Sequence, residues 1–357
     1  EILGLAGEEF NLNSSQQLAV ILFDKLKLPM IKKRSTAEAV LSELKDKHPL
    51  PDLILSYRKL YKLKNTYLDP LPSYIIPDTQ RVHSSFNQTM TATGRLSTSS
   101  PNFQNIPIRT EDGKEIRKAI KAQSNEFQIF SADYSQVELR VMAHLSGDES
   151  LISALNNGED IHTFTAKNIF NIDNDDMVLP EMRRIAKIVN FGIMYGAGPF
   201  RLSQELDIPF GEAKQIKDAY FKKYQGIEKY IENSKLQIKE TKSVATLLGR
   251  KRAVWDSDSQ NKIRRDAAER MAINMPIQGT AAEMIKLAMI KIHRQMNKEN
   301  LKSKLIMQIH DELLLEVHQD EIDYISKMVI EHMRNAMKLD VPIEIDFGIG
   351  PSWYEAH

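Results

Sequence analysis

Apolar residues recur at helical spacing over residues 18–28 and again over 53–63, which predicts helices for most of the first 90 residues. Pro70, Pro72 and Pro77 end that pattern. Residues 91–110, TATGRLSTSSPNFQNIPIRT, are polar and rich in turn formers, as expected of an ordered loop on a binding surface. A strand-like run follows over residues 127–132 and stops at Asp133, with a helix predicted from near Tyr134. Residues 151–238 return to a mostly helical pattern. Residues 305–317 alternate or run apolar on both sides of His310, Asp311 and Glu312, which predicts a hairpin although its turn lacks glycine. Strands thus flank a long helical insert. The expected fold class is α+β, a small sheet built from two separated parts of the chain with helical lobes on either side.

Composition narrows this without redirecting it. A chain of 357 residues suits two or three lobes. No segment approaches the ~20 apolar residues of a membrane span, and residues 1–30 lack a basic stretch followed by an apolar run and cleavage site, so a cytoplasmic protein with no membrane partner is expected. The chain has no cysteine, so any metal must sit on oxygen or imidazole. The 48 basic and 48 acidic residues cancel, which argues against a uniformly basic nucleic-acid binder. Local basic clusters at Lys32, Lys33 and Arg34, at Arg58, Lys59, Lys62 and Lys64, at Arg250, Lys251 and Arg252, and at Arg264 and Arg265 can each contact phosphate or form a solvated face.

Candidate chemistry lies in three stretches. In FSADYSQVELRVMAHLSGD, Asp133 stands at a strand end, and Asp311 with Glu312 stands at the tip of the predicted hairpin. Together Asp133 and Asp311 suit hard cations on oxygen, and Mg2+ is bound in this way by one or two carboxylates together with substrate phosphates. Two such ions stabilise the attacking and leaving oxygens of an in-line phosphoryl displacement. Taken singly, Asp133 reads as an N-cap of the next helix, and Asp311 and Glu312 as turn residues. In EMRRIAKIVNFGIMYGAG, Arg183, Lys187, Phe191 and Tyr195 recur every four residues and share a helix face, with Pro180 marking the start. Cations at the positive end of the helix dipole and rings further on match a nucleoside triphosphate lying along the helix. An amphipathic helix with buried rings and snorkelling cations fits the same residues. Gly192 and Gly196 imply close backbone approach or a bend. In RRDAAERMAINMPIQGTAAEMIK, Arg270, Asn274 and Gln278 are again four apart and can donate to minor-groove acceptors that all base pairs present, or form a solvated stripe. Pro276 predicts a kink there.

DYSQVELR, the RRxxKxxNFGxxYG pattern of residues 183–196 and QIHDELLLEV closely resemble the three polymerase motifs of family A DNA polymerases of the bacterial DNA polymerase I type, and TATGRLSTSSPNFQNIP and DIHTFTA extend the likeness along the whole chain. The resemblance implies a right-hand polymerase fold with an antiparallel palm sheet and helical fingers and thumb. Residues 1–88 then form the thumb, 89–150 the first part of the palm, 151–262 the fingers and 263–357 the rest of the palm. It implies two Mg2+ ions, replaceable by Mn2+, on Asp133, Asp311 and the carbonyl of Tyr134, with Glu312 a supporting acid. Arg183, Lys187 and His162 become triphosphate contacts, with Lys187 also the proton donor to pyrophosphate. Phe191 packs on the incoming base and sugar and implies discrimination against dideoxynucleotides. Tyr195 stacks at the template position and moves as the fingers close. Glu138 is similar to the steric gate against a 2′-hydroxyl, while Gln136 and Arg109 join the nucleotide site. Arg95, Arg270, Asn274, Gln278 and His310 match positions that grip the primer end and minor groove.

The implied partners are primer-template DNA and dNTPs, with the chain acting as a monomer. Residue 1 falls in what resembles the tail of a long thumb helix, and no acidic constellation suits a proofreading site, so neither 3′ to 5′ editing nor the grip of a full thumb is expected of this segment. A single-subunit RNA polymerase would share the two aspartates and the lysine helix, but Glu138 argues against it. A binding module with a decayed catalytic lobe is disfavoured because both aspartates, Lys187 and Arg183 are in place.

Overall fold

Between residues 1 and 84 the apolar stripes read from the sequence close on one another. Helix Pro49–Leu63 starts with proline at its first position, where a missing N–H costs nothing, and His48 accepts a hydrogen bond from the Leu50 amide at 3.1 Å. Leu50 and Ile54 bury against Leu18, Ile21 and Leu22, and against Val40, Leu41 and Leu44 of helix Glu38–Leu44. The stripe over residues 18–28 forms helix Ser15–Ala19 followed by a wider turn, Val20–Lys25. The computed structural model describes residues 1–106 and 111–357. One compact unit comprises Glu1–Ser84 with Ile106–Ile116, and a second comprises Ser85–Asn105 with Arg117–His357.

In the second unit the elements that carry the site are, in chain order, β1 (Phe127–Tyr134), α1 (Val137–Ser146), α2 (Ile161–Phe170), α3 (Pro180–Met194), α4 (Lys262–Lys298), β2 (Lys304–Ile309), β3 (Glu312–His318), β4 (Ile345–Gly350) and α5 (Trp353–Ala356). The four strands form one antiparallel sheet in the order β4–β1–β3–β2. Every residue of β3 is buried, which is why its sequence reads as an apolar run instead of alternating. Phe130, Ala132, Leu313 and Leu315 from the sheet share one core with Leu139 and Val141 of α1 and with Ile285, Ala288 and Ile292 of α4. Burial of each large apolar side chain contributes about 1.5–3 kcal/mol. None of the helices among the described residues is long and apolar enough to cross a membrane.

Two local expectations change. The helix expected from Tyr134 starts at Val137, because Asp133 and Tyr134 still belong to β1 and Gln136, at φ 51°, turns the chain first. Gln136 is the N-cap, so Asp133 caps nothing and that reading of it falls. The hairpin turns without glycine because His310 adopts the left-handed region at φ 53°, and Glu312 opens β3 instead of standing at the tip. Pro276 interrupts nothing in extent: α4 runs for 37 residues with the proline inside it.

Candidate active site

Strand register sets out the acidic residues. Asp133 lies opposite Glu312 of β3 on one side and opposite Asp346 of β4 on the other. One residue along, the Tyr134 amide donates to the Asp311 carbonyl at 3.2 Å, tying the hairpin turn to the end of β1. Crowding has an electrostatic consequence. Burial, followed by the charges of Glu312, Asp311 and Asp346 and opposed by His357, pushes the Asp133 carboxyl up to about 7. Burial also raises Asp311, with Glu138 adding to the rise and Arg95 and His310 opposing it.

Glu312 behaves differently. Burial pushes it up, but hydrogen bonds from its neighbours outweigh that and hold it below the usual carboxylate range. Ser131 Oγ donates to Oε1 at 2.6 Å, Trp353 Nε1 donates to the same oxygen at 2.8 Å, and His357 Nδ1 stands 3.3 Å away. The Arg117 guanidinium lies 3.9 Å over the Trp353 ring and has no hydrogen-bond partner among the described residues, while its charge faces Glu312 and Asp133. Glu312 is therefore a pinned, ionised acid behind Asp133. Ser131, Asp346, Trp353, His357 and Arg117 were not singled out from sequence, and only the rarity of tryptophan, present twice in the chain, offered a hint.

Among the described residues no group of three or more His, Asp or Glu side chains stands ready to hold a metal. Two aspartates with excess negative charge and a backbone carbonyl at hand nevertheless fit a hard divalent cation that completes its shell with substrate phosphate and water. A pH prediction follows. Because the folded pKa of Asp133 is raised above 3.8, the metal-free protein loses stability as pH rises from about 4 through about 7. In EDTA the melting temperature should be lower at about pH 8 than at about pH 5, and millimolar Mg2+ should restore it at the higher pH only. Equal Mg2+ stabilisation at both pH values would contradict the role given to Asp133.

Helix α3 begins at Pro180, as expected, and carries Arg183, Lys187 and Phe191, but Tyr195 falls one residue past its end. Arg183 makes a bidentate pair with Asp160, Nε to Oδ1 at 3.1 Å and Nη2 to Oδ2 at 2.6 Å. Asp160 also caps α2 by accepting from the Thr163 amide at 2.7 Å, and although burial pushes it up these bonds bring it to about 2. Lys187 is exposed and has no hydrogen bond or ion pair among the described residues. The Phe191 ring lies 5.8 Å from the His162 ring and 6.4 Å from the Tyr195 ring, stacked on the latter. His162 is buried, and burial together with Arg183 and Lys187 lowers it to about 4, so it is neutral at pH 7. Gly192 admits Leu202, whose Cδ2 would stand 3.0 Å from an added Cβ. Gly196, at φ 73°, both turns the chain and admits Arg270, whose Cγ would stand at 3.0 Å.

A third network joins the two. The Tyr195 hydroxyl donates to Glu138 Oε2, and Arg95 Nη2 donates to Oε1 at 2.5 Å. Gln278 lies near the Tyr195 hydroxyl, and Asn274 Nδ2 reaches the Tyr195 carbonyl at 3.5 Å. Arg95, Glu138, Tyr195, Asn274 and Gln278 are thus brought together, with Arg270 against Gly196. His310 is exposed beside Asp311, its Nε2 at 3.1 Å from the Gln104 carbonyl. Arg109 lies outside the described residues.

An antiparallel sheet with acids at one end, and a helix carrying Lys187 and an aromatic stack in the same unit, fit a polymerase domain of the right-hand class. Comparison with known proteins agrees. The chain belongs to DNA polymerase family A, whose sequence profile matches residues 1–355. It is 48% identical to DNA polymerase I of Bacillus subtilis over 356 residues, covering 99% of this chain and 40% of that protein. To the thermostable DNA polymerase I of Thermus filiformis it is 49% identical, covering 100% of this chain and 43% of the other. The chain therefore spans about two fifths of the length of these relatives. Among solved structures, the POL domain of Pol1 from M. smegmatis, in complex with DNA primer-template and dNTP, superposes with a TM-score of 0.93 at 42% identity, covering 99% of this chain and 63% of that one. The α+β, right-hand expectation holds.

Proposed function

We propose that the chain carries out template-directed, primer-dependent DNA synthesis from dNTPs as a monomer on primer-template DNA. The supporting observation is that a family A chain keeps Asp133 and Asp311 at the sheet end in a field short of positive charge, with Lys187 on α3 unengaged among the described residues. We assign residues 1–88 to the thumb, 89–150 and 263–357 to the palm, and 151–262 to the fingers. Two Mg2+ ions, or Mn2+ in their place, held by Asp133, Asp311 and the Tyr134 carbonyl, supply activation of the primer 3′-hydroxyl and charge stabilisation at the leaving oxygen.

The chain's own residues do the rest. Arg183 exchanges its bidentate partner Asp160 for triphosphate oxygens, or shares itself between them. Lys187 binds the leaving phosphates and gives them a proton, and His162 adds a neutral donor. Phe191 packs on base and sugar, Gln136 and Arg109 line the nucleotide, and Tyr195 leaves Glu138 when the template base takes its place. Arg95, Arg270, Asn274, Gln278 and His310 hold the primer end and minor groove. Glu312, pinned by Ser131 and Trp353, is the supporting acid beside Asp133 and is not itself a metal ligand.

Glu138 is held by Arg95, and by Tyr195 until that ring moves, which makes it suited to exclude a 2′-hydroxyl by contact. Primer extension with dNTPs and rNTPs side by side tests the proposal, and a preference for rNTPs would sink it in favour of RNA synthesis. Glu138→Ala should raise rNTP use relative to dNTP by about 10²-fold in kcat/KM, since the space for the hydroxyl opens. Unchanged discrimination would remove Glu138 from the gate.

A further inference from the structure

Asn190 stands in the middle of the α3 motif, yet its side chain faces neither solvent nor substrate. Its amide nitrogen lies 3.1 Å from His162 Nδ1. Its Oδ1 is 3.2 Å from Thr165 Oγ1, which in turn meets the Tyr224 hydroxyl at 2.8 Å. All four side chains are buried, in a unit with an apolar core, so each polar atom needs its partner. Asn190 Nδ2 also lies 3.1 Å from Thr165 Oγ1, so Thr165 either accepts from Tyr224 and donates to Asn190 Oδ1, or accepts from Asn190 Nδ2 and donates to Tyr224; in both arrangements an Asn190 Nδ2 proton is donated to His162 Nδ1.

We propose that Asn190 is a positioning residue that fixes His162 in the tautomer protonated on Nε2, so that a hydrogen-bond donor is presented to the triphosphate. This rests on the triphosphate reading of α3. An amide nitrogen can only donate, so the Nδ1 atom it meets must accept. A neutral imidazole with an accepting Nδ1 carries its proton on Nε2. Nε2 has no partner among the described residues and is not sealed from solvent. Phosphate oxygens only accept hydrogen bonds, so this tautomer binds them and the other repels them. Neutrality has its own support: Arg183 and Lys187 on α3 disfavour a further cation, and Asp160, the one acid acting in the opposite direction, is engaged by Arg183. His162 thus adds a donor to the site without adding charge, and the buried row sets its direction in advance of binding.

Nitrogen-15 NMR of histidine-labelled protein tests the assignment directly, with the His162 signals identified by their loss in His162→Gln. The expected spectrum at neutral pH shows Nε2 protonated and Nδ1 as a hydrogen-bonded acceptor. A proton on Nδ1, which the reversed amide would require, overturns the proposal. Asn190→Asp supplies the second arm. A carboxylate accepts from Nδ1–H, so the variant should show the proton on Nδ1 above the new His162 pKa. KM for dNTP should then rise about tenfold at about pH 8 with kcat within about threefold, since Lys187 and the aspartates are untouched. Unchanged KM in a variant with the switched tautomer also overturns it. His162→Leu, which offers no donor, separates the two readings: a dNTP KM equal to wild type means the triphosphate reading fails, whatever the tautomer proves to be.

Discussion

Asp133→Ala and Asp311→Ala should each lower the single-turnover rate of primer extension by at least about 10³-fold, while duplex affinity changes by less than about threefold. The size follows from the charge balance at the sheet end. Burial and neighbouring acids push Asp133 up to about 7, and burial raises Asp311, so a bound cation favours the ionised form of both. Removing either carboxylate removes a metal anchor whose electrostatic stabilisation of the transition state amounts to several kcal/mol. Binding survives because phosphate contacts are spread over other residues. The metal-free variants should also melt higher than wild type above about pH 7, since like-charge repulsion is relieved. That gain in stability with loss of activity separates a metal role from a structural one. Retained extension in either variant would remove the metal assignment.

Lys187→Ala should cost about 10²–10³-fold in kcat, with a smaller effect on dNTP KM than Arg183→Ala. The structural contrast between the two cations carries this. Arg183 is committed to Asp160 by two hydrogen bonds, and its exchange for triphosphate is a binding event. Lys187 has no partner to give up among the described residues, and its charge and proton are available to the pyrophosphate as it leaves. Lys187→Arg keeps the charge but not an amine that readily loses its proton, so it should recover KM more than kcat. Equal recovery of both would place Lys187 in ground-state binding alone. Rapid-quench kinetics with Mg2+ held saturating reads both parameters.

Much of this was legible because the periods are clean. The strand that carries Asp133 near its end, the hairpin around His310 and Asp311, and the start of α3 at Pro180 all follow from apolar spacing bounded by polar or proline residues. Errors fell where a single residue takes an unusual backbone. Gln136 and His310 sit at φ 51° and 53°, which moved a helix start by three residues and let a turn form without glycine. Tertiary partners were not legible. Trp353 and His357 reach Glu312 from the far end of the second unit, and Asp160 reaches Arg183 from α2, so no local pattern marks them. Asn190 reads as polar filler on a helix until His162, Thr165 and Tyr224 are placed around it. The candidate site residues were therefore offered by the sequence, while the residues that contact them came only from packing.

In the proposed mechanism Asp133 and Asp311 jointly hold the metal ions of a DNA-synthesising site. Anomalous scattering from Mn2+ in a crystal of the chain with primer-template and an incoming, non-hydrolysable dNTP tests it most directly. Two peaks about 3.5–4 Å apart, both ligated by Asp133 and Asp311 and one touching the Tyr134 carbonyl, with Glu312 still bound to Ser131 and Trp353, is the predicted result. Manganese seated on Glu312 and Asp346 instead, or only on the nucleotide without either aspartate, would contradict it.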